Sequence, residues 1–139
     1  MTDEQQVANA TRAHIEAFNR EDVDRMVAMM SDDAIAMPPH QAALKGAEEI
    51  SGWMREGFAT ARSQFDYTPV STLVEGNLGV DHFDFTMTTT MNDSGEKIAD
   101  EGNCIWVWRR EADGDWHICR SIWNSKLEQP TVWSGAPRK

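Results

Sequence analysis

The sequence predicts an α+β domain in which three N-terminal helices pack against a curved antiparallel sheet. Apolar residues recur at helical spacing up to about residue 60, and a period of two dominates from Phe65 onward. Helices followed by a run of neighbouring strands favour this arrangement over a parallel α/β sheet. The 139 residues fit one domain, expected over residues 1–128, with a C-terminal arm at residues 129–139 that carries Trp133.

Each helix is predicted from an apolar stripe bounded by start and stop signals. Thr2 and Gln5 fit a capping box, in which both side chains serve backbone N–H groups that the first turn leaves unpaired. Ser31, Asp32 and Asp33 form a polar turn that is expected to end the second helix. The expected helices cover residues 3–19, about 22–30 and 46–60.

The strands are predicted from alternation and from the residues that interrupt it. A short strand is expected at residues 34–37, where Pro38 and Pro39 stop it. Turn residues at positions 75–77, 92–95 and 113–115 divide the remaining chain into four longer strands. Sequential strands of this kind form an antiparallel meander.

Charge and composition exclude several classes of function. The formal net charge is −10, from 13 basic and 23 acidic residues, and no Lys and Arg cluster offers a surface for phosphates. Nucleic acid and membranes are therefore not expected as partners. The acidic start lacks the features of a signal peptide, so a cytoplasmic protein is expected. No HExxH or paired-cysteine motif is present, and neither a metal nor a cofactor is expected.

Two polar residues stand in rows of apolar ones. His14 interrupts the apolar stripe of the first helix, and Asp81 shares a strand face with Phe83 and Phe85. A carboxylate in such a row needs either a partner or a function. Both residues are candidates for chemistry. The plainer alternative is a core histidine bonded to a backbone carbonyl or water, and a structural carboxylate paired with a neighbouring Arg or His.

The last two strands carry apolar residues on both faces. Alternation on the final strand groups Ser121 with Trp123, and this face is expected to point inward. The other face is expected to form an external apolar patch, and such patches commonly mark subunit interfaces. A homodimer is predicted through Trp106, Trp108, Ile118 and Ile122.

Two segments resemble the nuclear transport factor 2-like superfamily, most closely its small SnoaL-like and ketosteroid-isomerase-like members. They are FNREDVDRMVAMMSDDAIAMPP at residues 18–39 and WRREADGDWHICRSIWNS at residues 108–125. The resemblance covers roughly residues 5–125. It implies a cone-shaped fold whose sheet and helices enclose a cavity for a small apolar molecule.

The resemblance also implies a set of site residues. The aspartate base of ketosteroid isomerases falls on Pro38, their tyrosine falls on His14, and their protonated carboxylic acid falls on Asn103. An amide or an imidazole can still donate a hydrogen bond to a developing oxyanion. His14, Asp81 and Asn103 are the resulting catalytic candidates. The expected substrate-binding wall consists of Met37, Trp53, Phe58, Phe83, Phe85, Ser121 and Trp123.

Two functions from different classes remain open on the sequence. The first is a cofactor-independent lyase or isomerase that performs acid–base chemistry on an apolar, carbonyl-bearing substrate. In it, His14 or Asp81 moves the proton and Asn103 binds the substrate oxygen. The second is a non-catalytic ligand-binding or dimeric assembly module. Fold alone does not choose between them.

Overall fold

The computed structural model describes residues 1–128 and 132–133, and in it three helices pack against a curved, six-stranded sheet. The predicted α+β cone is confirmed. Of the predicted arm, only Val132 and Trp133 fall among the described residues; residues 129–131 and 134–139 lie outside them. The helices are α1 (Asp3–Asn19), α2 (Val23–Ala28) and α3 (Ala47–Thr60). The strands are β1 (Met30–Met37), β2 (Leu44–Lys45), β3 (Ala61–Glu75), β4 (Leu78–Met91), β5 (Lys97–Arg110) and β6 (Trp116–Trp123).

The first helix places two polar side chains toward the sheet. Its start is fixed by the predicted capping box: Thr2 N donates to Gln5 Oε1 at 2.9 Å, and Gln5 N donates to Thr2 Oγ1 at 3.1 Å. Thr11 and His14 then lie one turn apart on the buried face of α1. Within the sheet, helix α1 packs mainly against β3 and β4, so both side chains face the inner side of the sheet.

The sheet runs in the order β2-β1-β6-β5-β4-β3. The meander from β3 to β6 is antiparallel throughout, and its three turns lie where the sequence predicts them. Strand β1 joins the other side of β6 in parallel, so the sheet is mixed rather than wholly antiparallel. This pairing places the segment after α2 one strand in from the β2 edge of the sheet, beside the end of the meander.

The predicted end of the second helix is wrong. Helix α2 stops at Ala28, and residues 30–33 belong to β1 instead of forming a turn. Ile118 N donates to the carbonyl oxygen of Met29 at 2.9 Å, which starts the pairing with β6. Because this partner strand lies near the other end of the chain, local periodicity could not reveal it.

The register of β5 corrects the predicted faces of that strand. Asp81 pairs with Trp106, and Phe83 pairs with Cys104; residues directly opposite each other share a face of the sheet. Trp106 and Trp108 therefore point inward, where Trp108 is fully buried. They were predicted to form an external patch.

A bulge changes the alternation along β6. Val107 pairs with Arg120 and Trp108 pairs with Ile118, so Cys119 is an extra residue that opposes no partner of its own. Ile118 before the bulge and Ser121 after it consequently both reach the inner side. Of the four residues predicted to form the outer patch, only Ile122 is exposed there, at 47%.

Within residues 1–128 and 132–133, none of the helices has the length and apolar character needed to cross a membrane.

Candidate functional site

An internal cavity of about 100 Å³ lies between the helices and the inner face of the sheet. Almost all of its wall is apolar, and aromatic rings form much of it. Its wall includes His14, Ile15, Phe18, Trp53, Phe85, Cys104, Trp106, Ile118, Ser121, Trp123 and Trp133. No Lys, Arg, Asp or Glu side chain of the described residues lines it.

His14 is the most deeply buried polar group on this wall. Its side chain is 3% exposed, and burial lowers the pKa of the imidazole to about 3. Trp106 and Trp108 meet the ring edge-on, with centroids 5.0 and 6.4 Å away. In the part of the chain that the structure describes, Nδ1 has no hydrogen-bond partner. His14 is therefore a neutral imidazole near pH 7 with unused hydrogen-bonding capacity.

Asp81 lies beside the site, but its carboxylate is already occupied. It is 4% exposed and accepts hydrogen bonds from the hydroxyl groups of Thr11 and Thr72, the latter at 2.8 Å. Thr11 Oγ1 in turn accepts from Trp108 Nε1 at 3.2 Å. Among the described residues, no hydrogen bond joins Asp81 to His14. Two threonine hydroxyl groups, and not the Arg or His of the structural alternative, therefore pair with the inward carboxylate.

Asn103 is not a cavity residue, which corrects the position that the resemblance implies. It pairs with Asp84 on the outer face of the sheet, and its Nδ2 donates to Asp84 Oδ1 at 2.8 Å. Its side-chain oxygen accepts from Asn124 Nδ2 at 3.1 Å. Cys104, the next residue along β5, points into the cavity. Because neighbouring residues of a strand face opposite sides of the sheet, Asn103 lies outside. Asn103 therefore cannot bind a ligand oxygen in the cavity in this arrangement.

The expected substrate-binding residues divide into two groups. Trp53, Phe85, Ser121 and Trp123 line the cavity. Phe83 and Phe58 lie behind the wall: Phe83 is fully buried, with its ring 4.9 Å from that of Trp106. Met37 pairs with Ile122 at the end of β1 and does not reach the cavity.

Sequence reasoning missed several wall residues. Trp106 and Ile118 were assigned to the outer face, and only the β4–β5 register and the β6 bulge reveal their true direction. Cys104 also lines the wall, and burial raises the pKa of its thiol well above the usual value, so the sulfur stays protonated. Trp133 comes from the arm, where no local pattern indicates which surface a tryptophan contacts.

The wall can bind a molecule but holds few groups for chemistry. Across the described ranges, no cluster of three or more His, Cys, Asp or Glu residues could hold a metal ion. Besides the indole N–H groups of its tryptophans, the polar side chains that the described residues place on the wall are those of His14, Ser121 and Cys104. An apolar cavity with a small number of buried polar groups is typical of a site for a small, uncharged ligand.

Comparisons with known proteins agree with this architecture. The family model described as SnoaL-like domain matches residues 11–118. A search of curated protein sequences finds no significant match. Solved structures with the same fold include a ketosteroid isomerase-like protein from Erwinia carotovora atroseptica, with a TM-score of 0.84 and 21% identity over 91% of this chain and 99% of that one.

Two further structures show the same likeness. A conserved protein from Planctomyces limnophilus has a TM-score of 0.81 and 17% identity, covering 88% of this chain and 97% of that chain. A nuclear transport factor 2-like superfamily protein from Salmonella enterica serovar Typhimurium has a TM-score of 0.79 and 16% identity, covering 91% and 93%. At these identities the likeness shows the fold alone.

Proposed function

The chain belongs to the family of SnoaL-like domains, and we propose that it is a binding protein whose cavity holds a small, neutral, apolar molecule carrying one oxygen acceptor. The observation that carries this proposal is the buried, neutral His14 on an otherwise apolar wall. A ketone is the simplest ligand of this class.

The size of the cavity limits the ligand. An engineered apolar cavity of about 150 Å³ stays dry and binds benzene. The cavity of this protein measures about 100 Å³, so a ring compound of about six heavy atoms is near the upper limit while the wall keeps its present shape. Entry of a charged group is disfavoured, because no described wall residue carries a charge that would offset the loss of hydration.

The state of His14 determines what kind of ligand it recognises. A neutral imidazole has one N–H donor and one acceptor nitrogen. With a pKa of about 3 it is a weak base, yet its N–H can donate to a carbonyl oxygen without the desolvation cost of a full charge. A carbonyl compound therefore gains a hydrogen bond that a hydrocarbon of the same shape does not.

A matched pair of probes tests the proposal. We expect the protein to bind cyclopentanone roughly threefold to tenfold more tightly than methylenecyclopentane, since one net hydrogen bond contributes about 0.5–1.5 kcal/mol. His14→Leu should abolish or reverse this preference, and Ile15→Val, an apolar change on the same wall, should retain it. Ligand-detected NMR titration measures both affinities. Equal affinities in the unmodified protein, or an unchanged preference in His14→Leu, would rule the proposal out.

The acid–base enzyme expected from the sequence receives less support. A general base needs access to the ligand and a pKa near the working pH. Asp81 is held by two hydroxyl groups and does not line the cavity, and burial makes His14 a weak base. His14 could polarise a bound carbonyl, but no carboxylate of the described residues lies on the wall to remove a proton. Binding is therefore the function that the geometry supports best.

The outer sheet face supports a second proposal, that the chain forms a homodimer. The corrected patch consists of Ile105 and Ile122, which pair across β5 and β6, and Leu73 on β3; their exposed fractions are 39%, 47% and 65%. Exposed apolar side chains on one face are typical of subunit interfaces. Trp106, Trp108 and Ile118 take no part, because they point inward.

Charge substitutions test the dimer. Analytical ultracentrifugation should give about twice the 15.7 kDa mass of one chain for the unmodified protein. Ile105→Lys should shift the protein to the monomer, because a lysine at the centre of an apolar interface loses hydration without gaining a partner. Thr88→Lys makes a similar charge change at the far end of the same face and should leave the dimer intact. A monomeric unmodified protein at micromolar concentration would contradict the prediction.

A further inference from the structure

Trp133 fills an aromatic cleft at one side of the cavity. Its ring centroid lies 5.2 Å from each of the rings of Phe18, Trp53 and Phe58, at interplanar angles of 64°, 78° and 61°. These edge-to-face arrangements are the ones that aromatic rings prefer. The cleft is therefore shaped for a planar ring on three sides.

The cleft also holds a hydrogen-bond acceptor for the ring it contains. Trp133 Nε1 donates to Ser63 Oγ at 2.8 Å. Ser63 Oγ is itself 2.9 Å from the hydroxyl of the buried Thr89, which fixes its position. A ring that enters the cleft with an N–H or O–H group at the same edge would make this hydrogen bond.

Helix α3 leaves a gap for the ring at Gly57. A Cβ atom built there would lie 2.4 Å from Trp133 Cη2, closer than any real contact. Glycine inside a helix lowers stability by about 1 kcal/mol relative to alanine. Packing of the Trp133 ring against Gly57 offsets this loss.

The cleft is continuous with the cavity. Trp133 lines the same cavity as His14, and Trp53 contacts both Trp133 and Trp123, whose ring centroid lies 6.1 Å away. Trp133 belongs to no helix or strand, and its contacts with the three rings of the cleft and with Ser63 are made by its side chain, so a free ring can reproduce them. Pockets for drug-sized ligands enclose roughly 300 Å³ or more, whereas this cavity offers about 100 Å³ while Trp133 is present.

We propose that this cleft is the aromatic subsite of the cavity and that Trp133 occupies it as an exchangeable intramolecular ligand. The ligand class is a planar aromatic ring with an N–H or O–H group on the edge that faces Ser63. Such a ligand displaces Trp133 and gains access to the rest of the cavity. The proposal rests on the proposed function, because it assigns the same cavity a larger ligand than the cavity accepts while Trp133 fills the cleft.

Indole, which copies the Trp133 side chain, is the probe. Trp133→Leu keeps an apolar side chain at the position but removes the ring, so one indole should bind this variant roughly tenfold or more tightly than the unmodified protein, in which Trp133 competes. 1-Methylindole lacks the N–H and should bind Trp133→Leu roughly threefold to tenfold more weakly than indole. Isothermal titration calorimetry gives the affinities and the stoichiometry.

Two results would overturn the proposal: a folded Trp133→Leu that binds indole no more tightly than the unmodified protein, or equal binding of indole and 1-methylindole. Should Trp133→Leu fail to fold, the unmodified protein decides. Added indole must then shift the side-chain N–H resonance of Trp133, and an unshifted resonance at saturating indole refutes exchange.

His14→Leu separates this proposal from the function proposed above. Because the cleft does not use His14, the double variant His14→Leu with Trp133→Leu should bind indole within roughly twofold of Trp133→Leu alone. If the unmodified protein shows no ketone preference while Trp133→Leu binds indole as expected, the role of His14 is refuted and the aromatic subsite stands. If the unmodified protein prefers the ketone but Trp133→Leu binds indole no more tightly than the unmodified protein, the subsite alone is refuted.

Discussion

Replacing Thr11 by valine should lower the free energy of unfolding by about 3 to 4 kcal/mol, although the two side chains have nearly the same shape. The substitution removes the hydroxyl that donates to Asp81 and also accepts from Trp108 Nε1. A hydrogen bond to a charged group contributes about 1.5–3 kcal/mol, and a buried donor left unpaired costs about 1–3 kcal/mol. Urea unfolding followed by tryptophan fluorescence measures the loss.

Thr72→Val is the matched control for Thr11→Val. Thr72 also donates to Asp81, but its side chain is only half-buried and it accepts no bond from an indole. Thr72→Val should therefore lower the free energy of unfolding by a smaller amount, about 1.5 kcal/mol. If Thr11→Val costs no more than Thr72→Val, the chain of bonds from Trp108 through Thr11 to Asp81 does not stabilise the fold as described.

The second large effect is a loss of stability in mild acid that originates at His14. Burial lowers the pKa of His14 from 6.5 to about 3 in the folded protein, so the unfolded chain takes up the proton first as the pH falls. The free energy of unfolding that depends on a neutral His14 is fully present above pH 6.5. It is lost progressively as the pH falls from 6.5 toward 3. At pH 5 the loss should be about 2 kcal/mol, at 1.36 kcal/mol for each pH unit.

The difference between the unmodified protein and His14→Leu isolates this effect. Urea unfolding of both proteins at pH 7.5 and pH 5 should show a steeper loss in the unmodified protein, by about 2 kcal/mol. The comparison stops at pH 5 because carboxylates add their own acid sensitivity below it. Asp33 is one of them, since the hydrogen bond from Arg109 lowers its pKa. Parallel losses in the two proteins would show that His14 is not held neutral by burial.

The helices and turns could be predicted because their signals are local. The capping box of Thr2 and Gln5 and the apolar stripe that follows give α1 with its observed ends, and Gly46 precedes α3 as expected. The turns between the long strands are likewise marked by short runs of turn-forming residues. Interactions between residues three or four positions apart are enough to define these elements.

The strand faces could not be predicted because they depend on distant partners. Trp106 and Ile105 are both apolar, so alternation cannot tell which one points inward; the pairing of Asp81 with Trp106 decides it. Cys119 introduces a bulge that no single-strand pattern announces. The same limit applies to residues 30–33, which form a strand only because β6 lies beside them.

The candidate site was predicted only in part, because its contacts also join segments that are distant in the sequence. His14 and Asp81 were found because a polar residue in an apolar row is visible in the sequence, but the hydrogen-bond partners of Asp81 were not. Thr11 and Thr72, which occupy Asp81, lie on different elements, and a threonine attracts no notice in a list of candidate residues. Trp133 reaches the cavity from the arm through contacts that only the folded chain shows.

The central claim is that His14 is neutral and donates a hydrogen bond to a bound ketone. An NMR titration of its ring nitrogens, with and without cyclopentanone, tests this claim most directly. The predicted result is nitrogen shifts of a neutral imidazole at every pH from 7.5 to 5, and a change in the N–H nitrogen shift when the ketone binds. A titration midpoint near 6.5 would contradict the buried, neutral state. Ring-nitrogen shifts that do not respond to saturating ketone would contradict the role of His14 in binding.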